Sequence, residues 1–293
     1  MDRVRSRSPR QGLIHADASD PEARAVRAFA AKPVFFDMLH SNNAARIRLY
    51  LACSGLTEKV ETKWVTYATL NSQDFLRANP LKKVPAFINE DGEGIFESQV
   101  ILEYVRDKYG GMIAPNQRHF ELDTPEERAF VNLLCRVHDI YISSPNCTAP
   151  GFSHSQGAMY LPPYANKQVA ADRSMPDRSV RAAKIAELWK QRTWLDENLK
   201  GPYLAGDRLT FADFTWFPTL TYMEYMLPNV FRWDLAKGTP RLEKWYADIQ
   251  TTDPAFKKVR DDIYDFWTTK DKEGQFDEIR GELRDDQYKW VYP

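Results

Sequence analysis

The stretch from Lys83 to Val105 constrains the fold of this 293-residue chain more than any other. Its first apolar run, Val84 to Ile88, contains Pro85, which cannot donate a hydrogen bond to a neighbouring strand. The strand must therefore be a sheet edge at that point, or the peptide bond before Pro85 must be special, and a cis bond would account for the proline. An acidic turn with two glycines and a second short apolar run follow. The stretch predicts a strand, a hairpin, a second strand and a helix start.

Glu97 and Ser98 stand where that helix is predicted to begin. The first N–H groups of a helix have no partner within the helix, and the helix dipole is positive at this end. The pair could serve as a plain cap. It also forms a ready site for a small anionic group, so both residues are candidates for ligand binding.

The chain before this stretch predicts two further strands and two helices. Pro33 to Leu39 fits a buried strand, and a helical period then begins near Ala44 with Asn42 or Asn43 as its cap. A strand from Val60 to Tyr67 and a short helix follow. The order β-α-β-α-β-β-α predicts one compact α/β unit.

The second half of the chain shows no strand pattern and predicts helices only. Thr210 and Asp213 have the spacing of a capping box, which is a structural role. The segment from Ser143 to Pro176 is unusually long for a connection, and such segments are often functional or mobile. The predicted organisation is an arm at 1–32, the α/β unit at 33–109, a linker at 110–124, an all-helical domain at 125–267 and an extension at 268–293.

Charge and cysteine content exclude several classes of function. A formal net charge of −1 gives no electrostatic reason to bind nucleic acid or an anionic membrane. No apolar run approaches the roughly 18 residues of a membrane helix. The three cysteines lack metal-binding spacing, so they predict reduced thiols, no metal site and a cytoplasmic protein. The basic N-terminal arm leaves organelle targeting open.

Taken together, these segments resemble the cytosolic glutathione transferase family over roughly Lys32 to Trp267. Each motif is weak alone, and their order and spacing carry the resemblance. It implies a thioredoxin-like N-terminal domain with a mixed four-stranded sheet, an all-α C-terminal domain and a homodimer. The motifs are the Ser41 turn followed by Arg46-Ile47-Arg48, the run Asn79-Pro80 with Val84-Pro85-Ala86-Phe87, the pair Glu97-Ser98, and Tyr203-Leu204-Ala205-Gly206-Asp207 before the capping box.

The resemblance implies glutathione as a co-substrate and a small hydrophobic electrophile as its partner. Ser41 matches the activating hydroxyl of the serine-type classes (theta, phi and zeta), where the thiol-transferring classes have cysteine. Ser41 would donate a hydrogen bond to the thiolate, and Asn43 could assist. A free thiol has a pKa near ~8.5, and lowering it by about two units takes ~2.7 kcal/mol, which a hydroxyl and a helix N-terminus can supply.

The same resemblance implies which residues would bind the other parts of glutathione. The main chain of Val84, before a cis Pro85, would pair with the cysteinyl backbone. Glu97 would pair with the γ-glutamyl ammonium, while Ser98 and the helix N-terminus take its carboxylate. Lys83 would lie near the glycyl end.

The second substrate is expected in the helical half. His138 and Tyr141 lie near the end of its first helix, where the family builds the electrophile pocket, although a lone histidine on a helix is more often structural. The loop residues Phe152, His154 and Tyr160 are weaker candidates.

The sequence therefore predicts a serine-type glutathione transferase that performs conjugation, dehalogenation or ether cleavage. Bacterial dehalogenases and the glutathione-dependent lignin β-etherases are similar. The alternative is a non-enzymatic binding or assembly module of the same fold, suggested by the proline-rich loop and the aromatic C-terminal tail. The complete set of Ser41, Val84-Pro85 and Glu97-Ser98 argues against it, because such a module does not need all three.

Overall fold

A computed structural model describes residues 32–114, 120, 122–143, 155–161 and 178–283. Residues 1–31 of the predicted N-terminal arm, the last ten residues, and Phe152 and His154 lie outside the described residues. None of the helices in the described part is long and apolar enough to cross a membrane.

The N-terminal half is built on a mixed four-stranded sheet, as predicted. Its order is β2-β1-β3-β4, with β1 parallel to β2 and antiparallel to β3, and β3 antiparallel to β4. The strands are β1 (Val34–Asp37), β2 (Glu61–Trp64), β3 (Ala86–Ile88) and β4 (Gly94–Phe96).

Helices cover both faces of this sheet because consecutive side chains of β1 point to opposite sides. Phe35 packs into the large core that includes residues of α1 and α3, while Phe36 packs on the other face against Phe75 of α2, with ring centroids 5.6 Å apart. The three helices are α1 (Asn42–Cys53), α2 (Gln73–Ala78) and α3 (Ser98–Tyr109). The element order is thus the predicted β-α-β-α-β-β-α.

The cap of α1 differs from the prediction. Ser41, not Asn42 or Asn43, has the extended N-cap conformation, and its Oγ accepts a hydrogen bond from the Ala44 N–H at 3.2 Å. Asn42 is buried and its side chain bonds to other parts of the chain. A hydroxyl can cap equally well, so local capping preference alone did not identify the residue.

The Val84-Pro85 peptide bond is cis. Pro85 left two alternatives, an edge strand or a special peptide bond. Strand β3 is not an edge strand, because it lies between β1 and β4. Pro85 itself precedes the hydrogen-bonded ladder, so its missing N–H costs no sheet bond.

The described part of the second half is helical, as predicted, and is organised around one buried helix. Nearly every residue of α6 is buried, which is expected of a helix that is apolar all round. The helices are α4 (Pro125–Tyr141), α5 (Arg178–Asn198), α6 (Phe211–Asn229), α7 (Pro240–Thr252), α8 (Pro254–Lys272) and α9 (Asp277–Glu282). Short 3-10 turns lie at Thr57–Lys59, Thr69–Asn71, Gly110–Met112, Ser155–Met159 and Leu235–Lys237.

The C-terminal boundary also differs from the prediction. Helix α8 continues past Trp267 to Lys272, and α9 follows it. Phe276 and Ile279 are buried in the main core. The described residues beyond 267 are therefore part of the helical half, because these two apolar side chains need a buried surface.

The capping box of α6 is confirmed, and its Asp213 also bonds to residues outside the box. One carboxylate oxygen of Asp213 accepts from the N–H of Thr210 at 2.8 Å, and the other accepts from the Leu204 N–H and the Trp245 indole at 2.9 and 3.1 Å. Burial raises the pKa of Asp213 to about 6, against these hydrogen bonds, which favour the ionised form. Asp213 thus joins α6, the turn before it and α7.

Replacing this carboxylate by an amide should destabilise the protein. In D213N the new NH2 group must face an N–H donor, so we expect the free energy of unfolding in urea to fall by about 3 kcal/mol. E127Q makes the same change in the exposed capping box of α4, where Glu127 accepts from the Thr124 N–H, and should cost clearly less. Equal losses in the two variants would contradict this role for Asp213.

Candidate active site

Three sequence-predicted segments meet at one end of the sheet. The residue Ala86 begins β3, which is paired on both sides. Ala86 lies opposite Phe36 of β1 and opposite Phe96 of β4. The residues before Ala86, those after β1 and those after β4 are therefore at the same end of the sheet. Ser41 follows Met38 closely, and its N–H donates to the Met38 carbonyl at 2.8 Å. The Ser41 turn, the cis proline and the start of α3 are therefore neighbours.

The Ser41 hydroxyl is partly exposed at the N-terminus of α1. Its oxygen accepts from the Ala44 N–H. A hydroxyl carries one hydrogen besides its lone pairs, so the capping bond leaves that hydrogen able to donate. A donor at a positive helix end suits an anion or a thiolate.

The peptide N–H and carbonyl of Val84 are available for hydrogen bonding. Among the described residues, neither its N–H nor its carbonyl has a backbone partner. The preceding Lys83 has an exposed side chain, and its carbonyl accepts from the Asn79 amide at 2.7 Å. The chain before the cis bond is thus held by Asn79, while the N–H and carbonyl of Val84 have no backbone partner among the described residues.

The two residues at the start of α3 have different environments. Glu97 is exposed, lies at φ 70° and makes no side-chain cap bond. A positive φ is unfavourable for a residue with a side chain, and such conformations concentrate at functional sites. Ser98 is buried, and its oxygen accepts from Arg46 Nη1 at 2.8 Å. The hydroxyl hydrogen of Ser98 therefore remains available to another acceptor.

Arg46 on α1 connects the site to the rest of the molecule, although nothing in the sequence indicates a role for it beyond membership of a motif. Its guanidinium is 1% exposed. It donates to Ser98, to Gln99 Oε1 at 2.8 Å, to Asp139 Oδ1 at 3.0 Å and to Thr215 Oγ1 at 2.6 Å. One side chain thus ties α1 to α3, α4 and α6.

His138 is fully buried behind this guanidinium. Its Nδ1 lies 2.9 Å from Asp139 Oδ1, and its Nε2 lies 2.7 Å from Thr219 Oγ1. Burial lowers the pKa of His138, although Asp139 opposes this, so the ring is neutral near pH 7. Since a carboxylate only accepts, Nδ1 carries the hydrogen and Nε2 accepts from Thr219.

This environment differs from the pocket role expected for His138, because both ring nitrogens are engaged and no face is exposed. Tyr141, one turn further along α4, is 44% exposed. Tyr160 is buried against Tyr222 and Trp267, with ring centroids 5.5 and 4.7 Å away.

Asp139 is ionised in this setting. Burial by itself would raise the pKa of its carboxyl, but the Arg46 charge and the hydrogen bond from His138 hold it well below its usual range. The site therefore contains a matched buried ion pair behind Ser98.

Asn42 extends the same network towards Ser41. Its amide nitrogen donates to Thr219 Oγ1 at 2.7 Å and to Gln156 Oε1 at 3.1 Å, and its oxygen accepts from Gln156 Nε2 at 3.2 Å. Asn43, in the same first turn, is partly exposed. Sequence reasoning missed Gln156 and Thr219 because they lie 114 and 177 residues from Asn42.

Aromatic side chains flank the turn that carries Ser41. The ring of His40 stacks on Phe266 at 3.7 Å between centroids, and its Nε2 lies 3.1 Å from the hydroxyl of Tyr67. The Tyr222 hydroxyl donates to the His40 carbonyl. Burial, helped by nearby cationic side chains, lowers the pKa of His40 to about 4. The wall beside Ser41 is thus neutral and aromatic, and Tyr67 is 70% exposed on it.

No group of histidine, cysteine, aspartate or glutamate side chains in the described part of the chain could hold a metal ion.

The two halves of the chain match two models of one family. Residues 34–107 match the model described as glutathione S-transferase, N-terminal domain, and residues 179–248 match that of glutathione S-transferase, C-terminal domain. The chain belongs to the glutathione S-transferase family.

Relatives with known names agree with this assignment at modest identity. Glutathione S-transferase F13 of Arabidopsis thaliana is 28% identical over 186 residues, which are 63% of this chain and 75% of the relative. Human glutathione S-transferase theta-2B is 26% identical over 220 residues, 74% of this chain and 80% of the relative. The crystal structure of rice GST1 in complex with glutathione has a TM-score of 0.60 at 21% identity and covers 83% of this chain and 99% of that one, which shows the same fold.

Removing the Arg46 charge should make stability depend on pH in the opposite sense. The pKa of Asp139 lies below its unfolded value, so the ion pair stabilises the protein above about pH 4. In R46M burial dominates and the native state favours the proton, so stability falls as pH rises. We expect a loss of about 3 kcal/mol at neutral pH and a smaller one near pH 4.5, measured by urea unfolding.

R208M is the matched control for this variant. Arg208 pairs with Asp123 and Glu127 in an exposed position, where ion pairs contribute little. A loss in R46M that did not change with pH, or that equalled the loss in R208M, would show that Arg46 does not control Asp139.

Proposed function

We propose that this protein is a glutathione transferase in which the Ser41 hydroxyl stabilises the glutathione thiolate. The observation that carries the proposal is the convergence of a free hydroxyl hydrogen at a helix N-terminus with the unpaired peptide unit of Val84 and the open start of α3. Membership of the glutathione S-transferase family and the names of the relatives support it.

Glutathione would lie across these groups in an extended conformation. The N–H and carbonyl of Val84, which Pro85 orients, pair with the backbone of the cysteinyl residue as an added strand does. The exposed carboxylate of Glu97 binds the γ-glutamyl ammonium. The hydroxyl hydrogen of Ser98 and the first N–H groups of α3 bind the carboxylate beside it. Lys83 is placed for the glycyl carboxylate.

The Ser41 hydroxyl acts as a donor and not as a nucleophile. Because its oxygen already accepts from the Ala44 N–H, the hydroxyl is polarised towards donating its own hydrogen. Together with the dipole of α1, this favours the thiolate over the thiol. Asn43, in the first turn of α1, is the second donor. The thiolate then attacks an electrophilic carbon, and the leaving group departs with the electron pair of the broken bond.

The electrophile is a small hydrophobic molecule, and the reaction is conjugation, dehalogenation or ether cleavage. The neutral aromatic wall of His40, Tyr67 and Phe266 beside Ser41 supports an apolar second substrate. Tyr141 is exposed at the end of α4 and is proposed as a further residue of that pocket.

The active form is proposed to be a homodimer. Val100 on α3 and Leu133 on α4 are large apolar side chains that are about half exposed, at 50% and 48%. Apolar side chains exposed on neighbouring elements are typical of surfaces that another chain covers.

Ser41→Ala should separate activation from binding. The pKa of the bound thiol, read from thiolate absorbance in a pH titration of the binary complex, should rise by about one to two units, and kcat near neutral pH should fall in proportion. The glutathione Kd from calorimetry should stay nearly constant. S72A is the matched control, since Ser72 caps α2 in the same way. An unchanged thiol pKa in S41A would remove Ser41 from the mechanism.

Glu97→Ala should instead weaken binding. Loss of a charge-assisted bond to an ammonium is expected to raise the glutathione Kd about tenfold or more, with a smaller effect on the pKa of the bound thiol. E61A changes an exposed glutamate on β2 and should leave the Kd unchanged. If the wild-type protein showed no retention on immobilised glutathione, the non-enzymatic binding or assembly module would be the better description.

A further inference from the structure

We infer that Gln156, in the 3-10 turn Ser155–Met159 of the long connection, is a positioning residue for Ser41 that acts through Asn42. The inference rests on the proposed function, since it concerns how Ser41 is held for thiolate stabilisation. Gln156 touches neither the hydroxyl of Ser41 nor, in the proposed geometry, glutathione.

The contact between Gln156 and Asn42 is a paired amide. Asn42 Nδ2 donates to Gln156 Oε1 at 3.1 Å, and Gln156 Nε2 donates to Asn42 Oδ1 at 3.2 Å. Both side chains are buried. Two antiparallel bonds between two planar groups fix both the position and the orientation of the Asn42 side chain.

The remaining hydrogen of the Asn42 amide also has a hydrogen-bond acceptor. It points to Thr219 Oγ1 at 2.7 Å, and Thr219 in turn donates to His138 Nε2 at 2.7 Å. Of these partners, only Gln156 contacts both the oxygen and the nitrogen of the Asn42 amide. Thr219 sets which way the amide faces, because a reversed amide would place its oxygen against the lone pair that Thr219 presents. Gln156 holds the amide in that orientation through both of its bonds.

The turn that carries Gln156 is itself firmly held. The N–H of Gln156 donates to the Ile142 carbonyl at 3.3 Å. Arg181 donates to the carbonyls of Ala158 and Leu161 at 2.6 and 3.1 Å. Gln275 donates to the Tyr160 carbonyl at 3.3 Å. The amide of Gln156 is thus presented from a fixed element, as a positioning group requires.

Asn42 is the first residue of α1, and Ser41 is its cap. Any shift of the Asn42 side chain moves the first turn of α1 and with it the hydroxyl and the helix N-terminus. The groups proposed to bind glutathione are held by other contacts, because Arg46 bonds to Ser98 and Val84 stands two residues before Ala86, which is paired with both β1 and β4. Loss of the amide pair should therefore affect the thiol and leave glutathione affinity almost unchanged.

The test compares Q156L with Q275L in the full-length protein. Both variants remove a glutamine amide that contacts the segment 155–161. Gln275, however, donates to the carbonyl of Tyr160, near the end of that segment and away from Asn42. We expect the pKa of bound glutathione, from thiolate absorbance, to rise by about half a unit or more in Q156L, kcat near neutral pH to fall about three- to tenfold, and Kd to change less than about twofold. Q275L should change only the melting temperature.

Q156E gives a second readout that a purely structural role would not produce. A protonated carboxyl group donates once and accepts once, as the glutamine amide does, whereas the ionised group repels Asn42 Oδ1. Burial raises the pKa of the new carboxyl, so Q156E should approach the wild-type rate near pH 5.5 and fall below it near pH 7.5, while Q156L stays low near pH 5.5.

The outcomes distinguish this inference from the proposed function. If wild-type protein does not lower the pKa of bound glutathione, the proposed function fails. If wild-type protein lowers it and Q156L behaves like Q275L, Gln156 is not a positioning residue. Should Q156L fail to fold, Q156E alone decides, because a ratio of its rate to the wild-type rate that does not fall between about pH 5.5 and 7.5 would overturn the inference.

Discussion

The buried guanidinium of Arg46 is the interaction on which the arrangement of the site depends. Four elements contribute to its environment: α1 carries it, and α3, α4 and α6 supply its acceptors. A buried cation is costly unless it is paired and hydrogen-bonded, so these helices cannot separate without leaving a charge unsatisfied. The start of α3 and the start of α1, which lie on either side of the proposed glutathione site, are thereby held at a constant distance.

From that guanidinium a directional set of hydrogen bonds runs to the cap of α1. Asp139 accepts from Arg46 and from His138, His138 accepts from Thr219, and Thr219 accepts from Asn42. Because the carboxylate of Asp139 can only accept, Nδ1 of His138 carries the hydrogen, which fixes the tautomer of this ring. A connected network of buried hydrogen bonds of this kind favours one arrangement of a core. Here it makes the orientation of the Ser41 turn depend on residues of the helical half.

The local features were predicted well because their chemistry lies within a few residues. A proline in a short apolar run leaves two alternatives, an edge strand or a cis bond, and the structure has the cis bond. The capping box follows from the spacing of Thr210 and Asp213. Asn42 shows the opposite case: two asparagines at a helix start resemble caps, and nothing near them in sequence shows that one is buried. For His138, its position on the helix does not show whether the side chain is buried, and the structure places it in the interior.

The sequence by itself determined the order of the elements, the helical second half and the helix start at Glu97 and Ser98, because strand, turn and helix-start signals are short-range. The mixed four-stranded sheet and the candidates Ser41 and Val84 came from the family resemblance, which depends on the order and spacing of several such motifs. Only the tertiary structure decided that Arg46 joins the starts of α1 and α3, and that Asn42 is held by Gln156. Such contacts depend on how helices pack against one another, and side chains more than a hundred residues apart become neighbours only when that packing is complete.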